Sequence, residues 1–341
     1  MEKTENKRKV FVGLSGGVDS SVAALLLQRE GYEVVGAHMT CWEGCDTNED
    51  RRDAMRVATK LNIPFHLFDF KREYKEKVFD YMIREYGAGR TPNPDVMCNS
   101  EIKFGIFLNR AMEMGADYIA TGHYVRKVEN YLLSAIDSSK DQSYFLWRLT
   151  PEQISKSLFP IGGYLKTEVR KMAKRASLIT ADKKDSQGLC FVGKVDFQDF
   201  LRELLPKKEG VFINSGGEVL GKHDGAHFFT PGQRHGIRLG GFREPLYVAE
   251  TDLKTNTVLV AEGTSDPVLY KKEIEITEKT LPENINEELF ARIRYRQPLQ
   301  RCEIEGNKVI FNLPQRGVAA GQSIVFYSKD RALLGGGIIG K

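Results

Sequence analysis

The sequence predicts an α/β protein: a parallel sheet flanked by helices over residues 1–205, a small central domain over 206–268 and a C-terminal β-barrel over 269–341. Three observations lead there. The first part repeats a short apolar run followed by a stretch with apolar residues at helical spacing, which is the pattern of βα units joined into a parallel sheet. Beyond residue 206 glycines become frequent and the apolar runs become short and β-like. From "KKEIEI" onward short strands alternate with turn residues, which suits a small all-β barrel or sandwich.

Taken in order, "RKVFVGL" reads as a first strand and "SSVAALLLQREG" as a helix closed by Gly31. "YEVVGAHM" is a second strand. In "NEDRRDAMRVATKLNIP", Ala54, Val57, Ala58 and Leu61 recur at helical spacing and Pro64 stands beyond the end. "FHLFDF" is a third strand. After further helix, "EIKFGIFLNRAMEMGA" leads into "DYIATGHY", a fourth. A basic helix, "LKTEVRKMAKRASL", and one more, "FQDFLRELLP", complete the first part. The later strands are "GVFIN", "PLYVAETD", "TNTVLVAEG", "ARIRYRQ", "KVIFNLP", "SIVFYS" and "GGGIIG".

Composition narrows the class. With 341 residues, 41% hydrophobic and 28% charged, the chain is long enough for two or three domains with a sizeable core. No apolar run approaches the roughly 20 residues of a membrane span. The start, "MEKTENKRKV", lacks the apolar region of a secretory signal. A cytoplasmic location without a membrane partner is expected. Five cysteines at irregular spacing are a poor disulfide framework, so they are buried, metal-bound or catalytic. His38, Cys41 and Cys45 are too few to complete a metal site, and no metal centre is expected there. A net charge of +4 permits a nucleic-acid partner without demanding one.

Two stretches carry chemistry. In "FVGLSGGVDSSVAALLL" a strand ends in a glycine loop and a helix begins. The unpaired N–H groups and dipole of a helix start favour an anion such as phosphate. Asp19 is odd there, since a carboxylate repels phosphate. It fits if Mg²⁺ bridges the two, or if it caps the helix. In "GRTPNPDVMCNSEIKFG", Pro92 and Pro94 stiffen a loop, and Cys98 follows Asp95 by three positions, shortly before a helix. A helix N-terminus lowers a thiol pKa, whereas the Asp95 charge opposes thiolate formation. Asp95 suits a general base or an orienting group. Cys190 stands in "DKKDSQGLCFVGK", a polar stretch with Lys183, Lys184 and Lys194. It reads as a reactive thiol rather than a core residue.

"SGGVDSS" resembles the PP-loop signature of N-type ATP pyrophosphatases, which cleave ATP between the α and β phosphates. The resemblance implies ATP at Gly13, Leu14, Ser15, Gly16, Gly17, Val18, Asp19 and Ser20, with Mg²⁺ as its companion. Ligands of parallel sheets gather at the carboxyl ends of strands, which adds Met39 and Gly122. "NPDVMCNSEIKFG", "ATGHYVR", "KDQSYFL" and "KKDSQGLCFVG" follow in this order. Together with "HDGAHFFTPGQRHGIRLGG", "PLYVAETD" and "ARIRYRQ" they resemble the bacterial tRNA-specific 2-thiouridylase (MnmA) family over nearly the whole chain. The pattern departs at Pro231 and His235, where that family commonly carries leucine and lysine.

The resemblance implies an ATP-dependent sulfurtransferase that thiolates the wobble uridine of tRNA. It implies a persulfide on Cys190, loaded by a sulfur donor such as a cysteine desulfurase or sulfur-relay protein, with Cys98 as partner thiol able to form a disulfide with it. It places Asn93, Pro94 and Asp95 against the uridine. It assigns tRNA contact to His123, Lys140, Asp141, Gln142, Arg294, Tyr295 and Gln322, with tRNAs for Lys, Glu and Gln as substrates. The residues themselves suggest two further basic rows. Lys166, Arg170 and Lys174 share a helix face, with Lys171 and Arg175 beside it. Arg292, Arg294 and Arg296 alternate, and on a strand they would project from one side while Ile293 and Tyr295 project from the other. That alternation agrees with a contact from Tyr295 only if the strand ends or bulges there. Two other readings stay open: an iron–sulfur cluster on Cys98 and Cys190 that donates sulfur, and a non-catalytic tRNA-binding protein.

Overall fold

The structure, a computed structural model, describes residues 7–42, 47–184, 197–282 and 288–340. The chain forms two compact units. The first draws on 1–78, 94–194 and 331–333, the second on 79–93, 195–330 and 334–341.

The first unit is built on a five-stranded parallel sheet in the order β3-β2-β1-β4-β7. Its strands are β1 (Lys9–Gly13), β2 (Glu33–Thr40), β3 (Phe65–Asp69), β4 (Tyr118–Ala120) and β7 (Ser157–Leu158). Between the last two lies an antiparallel hairpin, β5 (Val125–Val128) with β6 (Tyr131–Ser134). The sequence reading passed over this hairpin, whose two-residue turn places Glu129 at φ +52°. The central strand is apolar from Val10 to Val12 because it is covered on both faces there: all three residues are buried. Helix α1 (Val18–Arg29) is buried along most of its length and packs against α2 (Thr47–Leu61) and the Lys166–Arg175 helix. Ala54, Val57, Ala58 and Leu61 of α2 face the core, as their spacing predicts.

The sheet order reverses at β1. Chain connections leave β1 toward β2 and β3 on one side, and β4 and β7 lie on the other. Such a switch point, here at the carboxyl ends of β1 and β4, is where open α/β sheets carry their ligand crevice. A second helical run, Pro94–Met97, Cys98–Ile106 and Phe107–Glu113, includes a π-wound stretch in which Phe107 N–H reaches back to the Ile102 carbonyl.

The second unit holds a four-stranded sheet and a closed barrel. The sheet runs Leu246–Asp252, Thr257–Glu262, Gly210–Ile213, Val219–His223; the last of these strands escaped the sequence reading. The six barrel strands are Tyr270–Thr280, Lys308–Arg316, Gln300–Glu305, Leu289–Arg292, Ser323–Tyr327 and Leu333–Ile339, antiparallel in every described pair. Barrel rather than sandwich is the outcome. Ile274, Ile276, Val309, Phe311, Ile324 and Phe326 fill its interior. Cys302 lies among them, and burial pushes its thiol up to about 12, which makes it an inert core residue.

Candidate functional site

The glycine loop sits at the switch point. Leu14 is buried and its N–H donates to the Ala37 carbonyl on β2, which anchors the loop to the neighbouring strand. Gly16 adopts φ +78°, and a Cβ there would collide with the Asp50 backbone at the start of α2. Ser15 N–H donates to Ser20 Oγ at 3.2 Å, and Ser21 Oγ–H donates to the Gly17 carbonyl at 2.7 Å. Gly17 is the N-cap of α1, in extended conformation, with no side-chain cap. The first N–H groups of α1 therefore have no side-chain acceptor, and a Cβ on Gly17 would meet only Ser15 Oγ, at 3.4 Å. Donors and space together fit the phosphates of ATP.

Asp19 does not cap the helix. It is the second residue of α1, and its carboxylate is taken from elsewhere. Lys166 Nζ donates to both oxygens, at 2.7 and 2.8 Å, and Tyr124 O–H donates to Oδ1 at 2.8 Å. Lys166 is itself buried and lies 5.7 Å from the Tyr124 ring centre. Lys166 and Tyr124 thus engage the Asp19 carboxylate, and no group of three metal-ligating side chains occurs among the described residues. Nothing in the periodicity of "LKTEVRKMAKRASL" singled out Lys166 for this role.

Met39 and Gly122 complete the crevice in different ways. A Cβ on Gly13 would come within 3.1 Å of Met39 Cε, so this methionine lies against the end of β1. Gly122 follows β4 and packs directly on the start of α1: a Cβ there would stand 2.6 Å from Ser20 N and 2.8 Å from the Asp19 carbonyl carbon. His38 donates from Nδ1 to the Leu14 carbonyl at 2.8 Å, while its buried Nε2 has no hydrogen-bond partner among the described residues. Burial lowers its pKa, with Arg51 adding to the effect, so the ring is neutral and Nε2 an acceptor.

Residues 121–124 connect this crevice to the helix that carries Cys98. Gly122 and Tyr124 touch α1, while His123 meets Phe104 with ring centres 5.8 Å apart. His123 is buried, with Nδ1 2.8 Å from Thr121 Oγ1. Burial first, and the Lys103 charge second, hold its pKa well below the usual value, so it is no cation at neutral pH. Burial pushes the Asp95 carboxyl up, and Lys103 pulls it back. Cys98 is buried inside the helical run, which starts at Pro94 rather than after the cysteine as expected. Cys190 and Cys45 lie outside the described residues.

Several expected RNA contacts have structural partners here. Asp141 is buried and accepts from Ala135 N–H and Ser143 N–H; Gln142 Oε1 accepts from Tyr124 N–H at 2.9 Å. Lys140 donates its backbone N–H to Asp137. The expected basic face on the Lys166–Arg175 helix is broken: Lys171, Lys174 and Arg175 are exposed, but Lys166 is buried and Arg170 half-buried. Lys166 is on Asp19, Arg170 donates to the Ala181 carbonyl at 2.8 Å, and Lys174 pairs with Asp182. Lys183 is likewise engaged, with Asp50 and Asp53 at 2.7 and 2.6 Å.

The arginine row of the barrel is also corrected. The strand ends at Arg292, which is buried and donates to Tyr327 O–H from Nε and a terminal nitrogen, at 3.1 and 2.6 Å. Arg296 has φ +64° in the turn that follows. Because the strand stops, Tyr295 is released from the alternation that set it against Arg294. In the same unit Arg294 donates to the Gly317 carbonyl at 2.6 Å. Gln322 Nε2 donates to the carbonyls of Thr91 and Pro92, and so holds the loop that leads to Asn93.

Three family models match: a tRNA methyl transferase HUP domain over residues 8–194, a tRNA methyl transferase PRC-barrel domain over 198–262 and an aminomethyltransferase beta-barrel domain over 268–339. Curated relatives match end to end. A tRNA-specific 2-thiouridylase MnmA of Christiangramia forsetii is 45% identical over 97% of this chain and 100% of its own length. MnmA 2 of Geobacillus kaustophilus is 45% identical over 99% and 96%, and MnmA of Legionella pneumophila 46% over 96% and 98%. The chain belongs to the MnmA family of tRNA-specific 2-thiouridylases.

Proposed function

We propose that this chain is an ATP-dependent sulfurtransferase that converts the wobble uridine of tRNA to 2-thiouridine. The observation that carries the proposal is the segment 121–124. It bears on the uncapped start of α1 through Gly122 and Tyr124, and on the helix of Asp95 and Cys98 through His123. A phosphate-binding helix start and a thiol-bearing helix thus share one framework.

The chemistry follows from what each group can do. The C2 oxygen of uridine is a poor leaving group. Attack of that oxygen on the α phosphorus of ATP expels pyrophosphate and leaves AMP on the base, a good leaving group. The N–H groups of α1 hold the phosphates, and the Lys166 ammonium offsets the Asp19 charge beside them. The terminal sulfur of a Cys190 persulfide attacks C2 and AMP departs. The Cys98 thiolate then attacks the Cys190 sulfur, which leaves 2-thiouridine and a Cys98–Cys190 disulfide; an external dithiol reduces it, and the donor reloads the persulfide. Asp95, whose carboxyl burial pushes up, is suited to hold or accept a proton at the base. Asn93, Pro94, His123, Lys140, Arg294, Tyr295 and Gln322 position the RNA, several through the backbone they brace. Any magnesium that enters with ATP stays on the nucleotide, since Lys166 holds Asp19.

Domain limits at 205 and 268, tRNAs for Lys, Glu and Gln, and a cytoplasmic setting complete the proposal. No described helix is long and apolar enough to cross a membrane. The test is thiolation of an unmodified tRNA transcript by the purified protein with ATP and a persulfide source. Nucleoside mass spectrometry should find 2-thiouridine with one AMP per base. Cys98→Ser and Cys190→Ser should each abolish it, and full activity of Cys190→Ser would overturn the persulfide route.

A further inference from the structure

The fold draws Lys166 and, in part, Arg170 out of the basic row expected on the Lys166–Arg175 helix, yet it exposes another row in full. On α2, Arg52, Arg56 and Lys60 recur at i, i+4 and i+8, on the side opposite the buried Ala54, Val57, Ala58 and Leu61. All three cations are exposed. Met55, 45% exposed, and Thr59 stand between them. These five residues line a shallow groove of about 500 Å³. Arg56 approaches Asp53 at 3.6 Å, and among the described residues Arg52 and Lys60 have no ion pair. Of the acidic residues on the same helix, Lys183 spans Asp50 and Asp53, while Glu49 stands exposed in the first turn. From Arg52 onward, what α2 presents outward is cationic, with an apolar residue at its centre.

We propose that this face of α2 docks the protein that delivers sulfur, through an acidic surface on that partner with an apolar residue in its middle. The inference rests on the thiolation reading. A phosphate backbone would use the three cations but offer nothing to Met55. A protein surface uses both, and methionine and arginine are enriched in such interfaces. Carboxylates opposite Arg52, Arg56 and Lys60 steer the encounter and fix its register. The location suits delivery too. The Asp50 backbone abuts Gly16, so the groove begins two residues along α2 from the nucleotide loop.

The experiment compares two sulfur sources in the full-length protein. One is a cysteine desulfurase charged with cysteine, so that sulfur arrives as a protein persulfide; the other is free sulfide, which attacks the adenylated C2 directly, expels AMP and needs no loaded cysteine. With Arg52→Glu and Lys60→Glu combined, desulfurase-driven thiolation should fall at least tenfold, while the sulfide-driven rate and the KM for tRNA stay within twofold. With tRNA saturating, raised ionic strength should weaken the wild-type desulfurase reaction more than the sulfide reaction. The neutral pair Arg52→Gln and Lys60→Gln, checked by its melting curve, should show a smaller selective loss. Equal loss from both sources, or a raised KM for tRNA, would assign the face to RNA and overturn the proposal. So would no loss, or a wild type that runs on sulfide but not on the desulfurase. A wild type inactive with both sources would instead refute the thiolation reading, and the docking proposal with it.

Discussion

Lys166 offers the sharpest test of how the nucleotide loop is held together. Its ammonium donates to both oxygens of Asp19 with side chains that are 11% and 30% exposed. Breaking a fully buried pair costs about 3–5 kcal/mol, and an exposed pair about 0–1. The partial exposure of Asp19, and the Tyr124 hydroxyl that stays on it, place Lys166→Met between the two, at about 2 kcal/mol. Asp19→Asn should cost a similar amount, because it strands the ammonium. The double variant should cost much less than the sum, with a coupling energy above about 1 kcal/mol. Both tryptophans of the chain, Trp42 and Trp147, belong to the first unit, so intrinsic fluorescence during urea unfolding reports that unit alone. ATP binding adds an independent reading. With the lysine gone, the Asp19 charge faces the phosphates uncompensated, and Kd should rise about tenfold, or ~1.4 kcal/mol. Strictly additive unfolding energies would show that the pair does not couple. ATP affinity unchanged in Lys166→Met would show that the lysine does not shield the phosphates.

Four more outcomes follow from the geometry. Asp95→Asn should abolish thiolation yet stabilise the first unit at neutral pH, because burial raises the native carboxyl pKa; the gain is full above that native value and vanishes below the unfolded one, which urea titrations at pH 4 and pH 7 would reveal. Burial lowers the pKa of His123, so its contribution is complete above the ordinary histidine value and is lost as pH falls below it; His123→Gln should flatten the fluorescence-monitored stability profile between pH 7 and 5. Arg292→Ala removes a buried guanidinium that bonds Tyr327 and stacks 4.6 Å from its ring, and should lower barrel stability by about 2–3 kcal/mol by calorimetry without changing the slope of tRNA affinity against log salt. Gly122→Ala places a methyl 2.6 Å from Ser20 N, where only backbone can yield, and should weaken ATP binding more than it weakens folding.

The parallel sheet was legible because apolar runs and helical periods repeat in register with glycine and proline breaks, and β1 through β4 fall where those signals lie. The β5–β6 hairpin was not, because its turn is Glu129-Asn130 instead of a glycine pair, and left-handed glutamate leaves no local signal. The glycine loop could be read as an anion site from its residues alone. The partners of Asp19 could not, since Tyr124 and Lys166 lie 105 and 147 positions away and only the fold brings them there. Arg292 misled for a related reason. Alternation predicts its side of the strand, opposite Ala291 and Ile293 of the barrel interior, but not that this side is covered and buries the arginine against Tyr327.

The two basic helix rows show what finer reading could have recovered. Each has cations at i, i+4 and i+8, yet one is buried at its first member and the other is exposed throughout. Counting about 100° per residue, the apolar stripe of the Lys166–Arg175 helix centres near Val169 and Ala173, with Met172 beside them. Measured from Val169, Lys166 lies about 60° away, Arg170 about 100° and Lys174 about 140°. Their exposure rises in that order, from buried through half-buried to exposed. On α2, measured from Ala54, Arg52, Arg56 and Lys60 lie about 160°, 200° and 240° around, on the far side from the stripe. A row of charges is a surface only when its angle to the apolar stripe exceeds about a quarter turn; closer in, the same lysine is drawn under the edge and must find a carboxylate, as Lys166 finds Asp19.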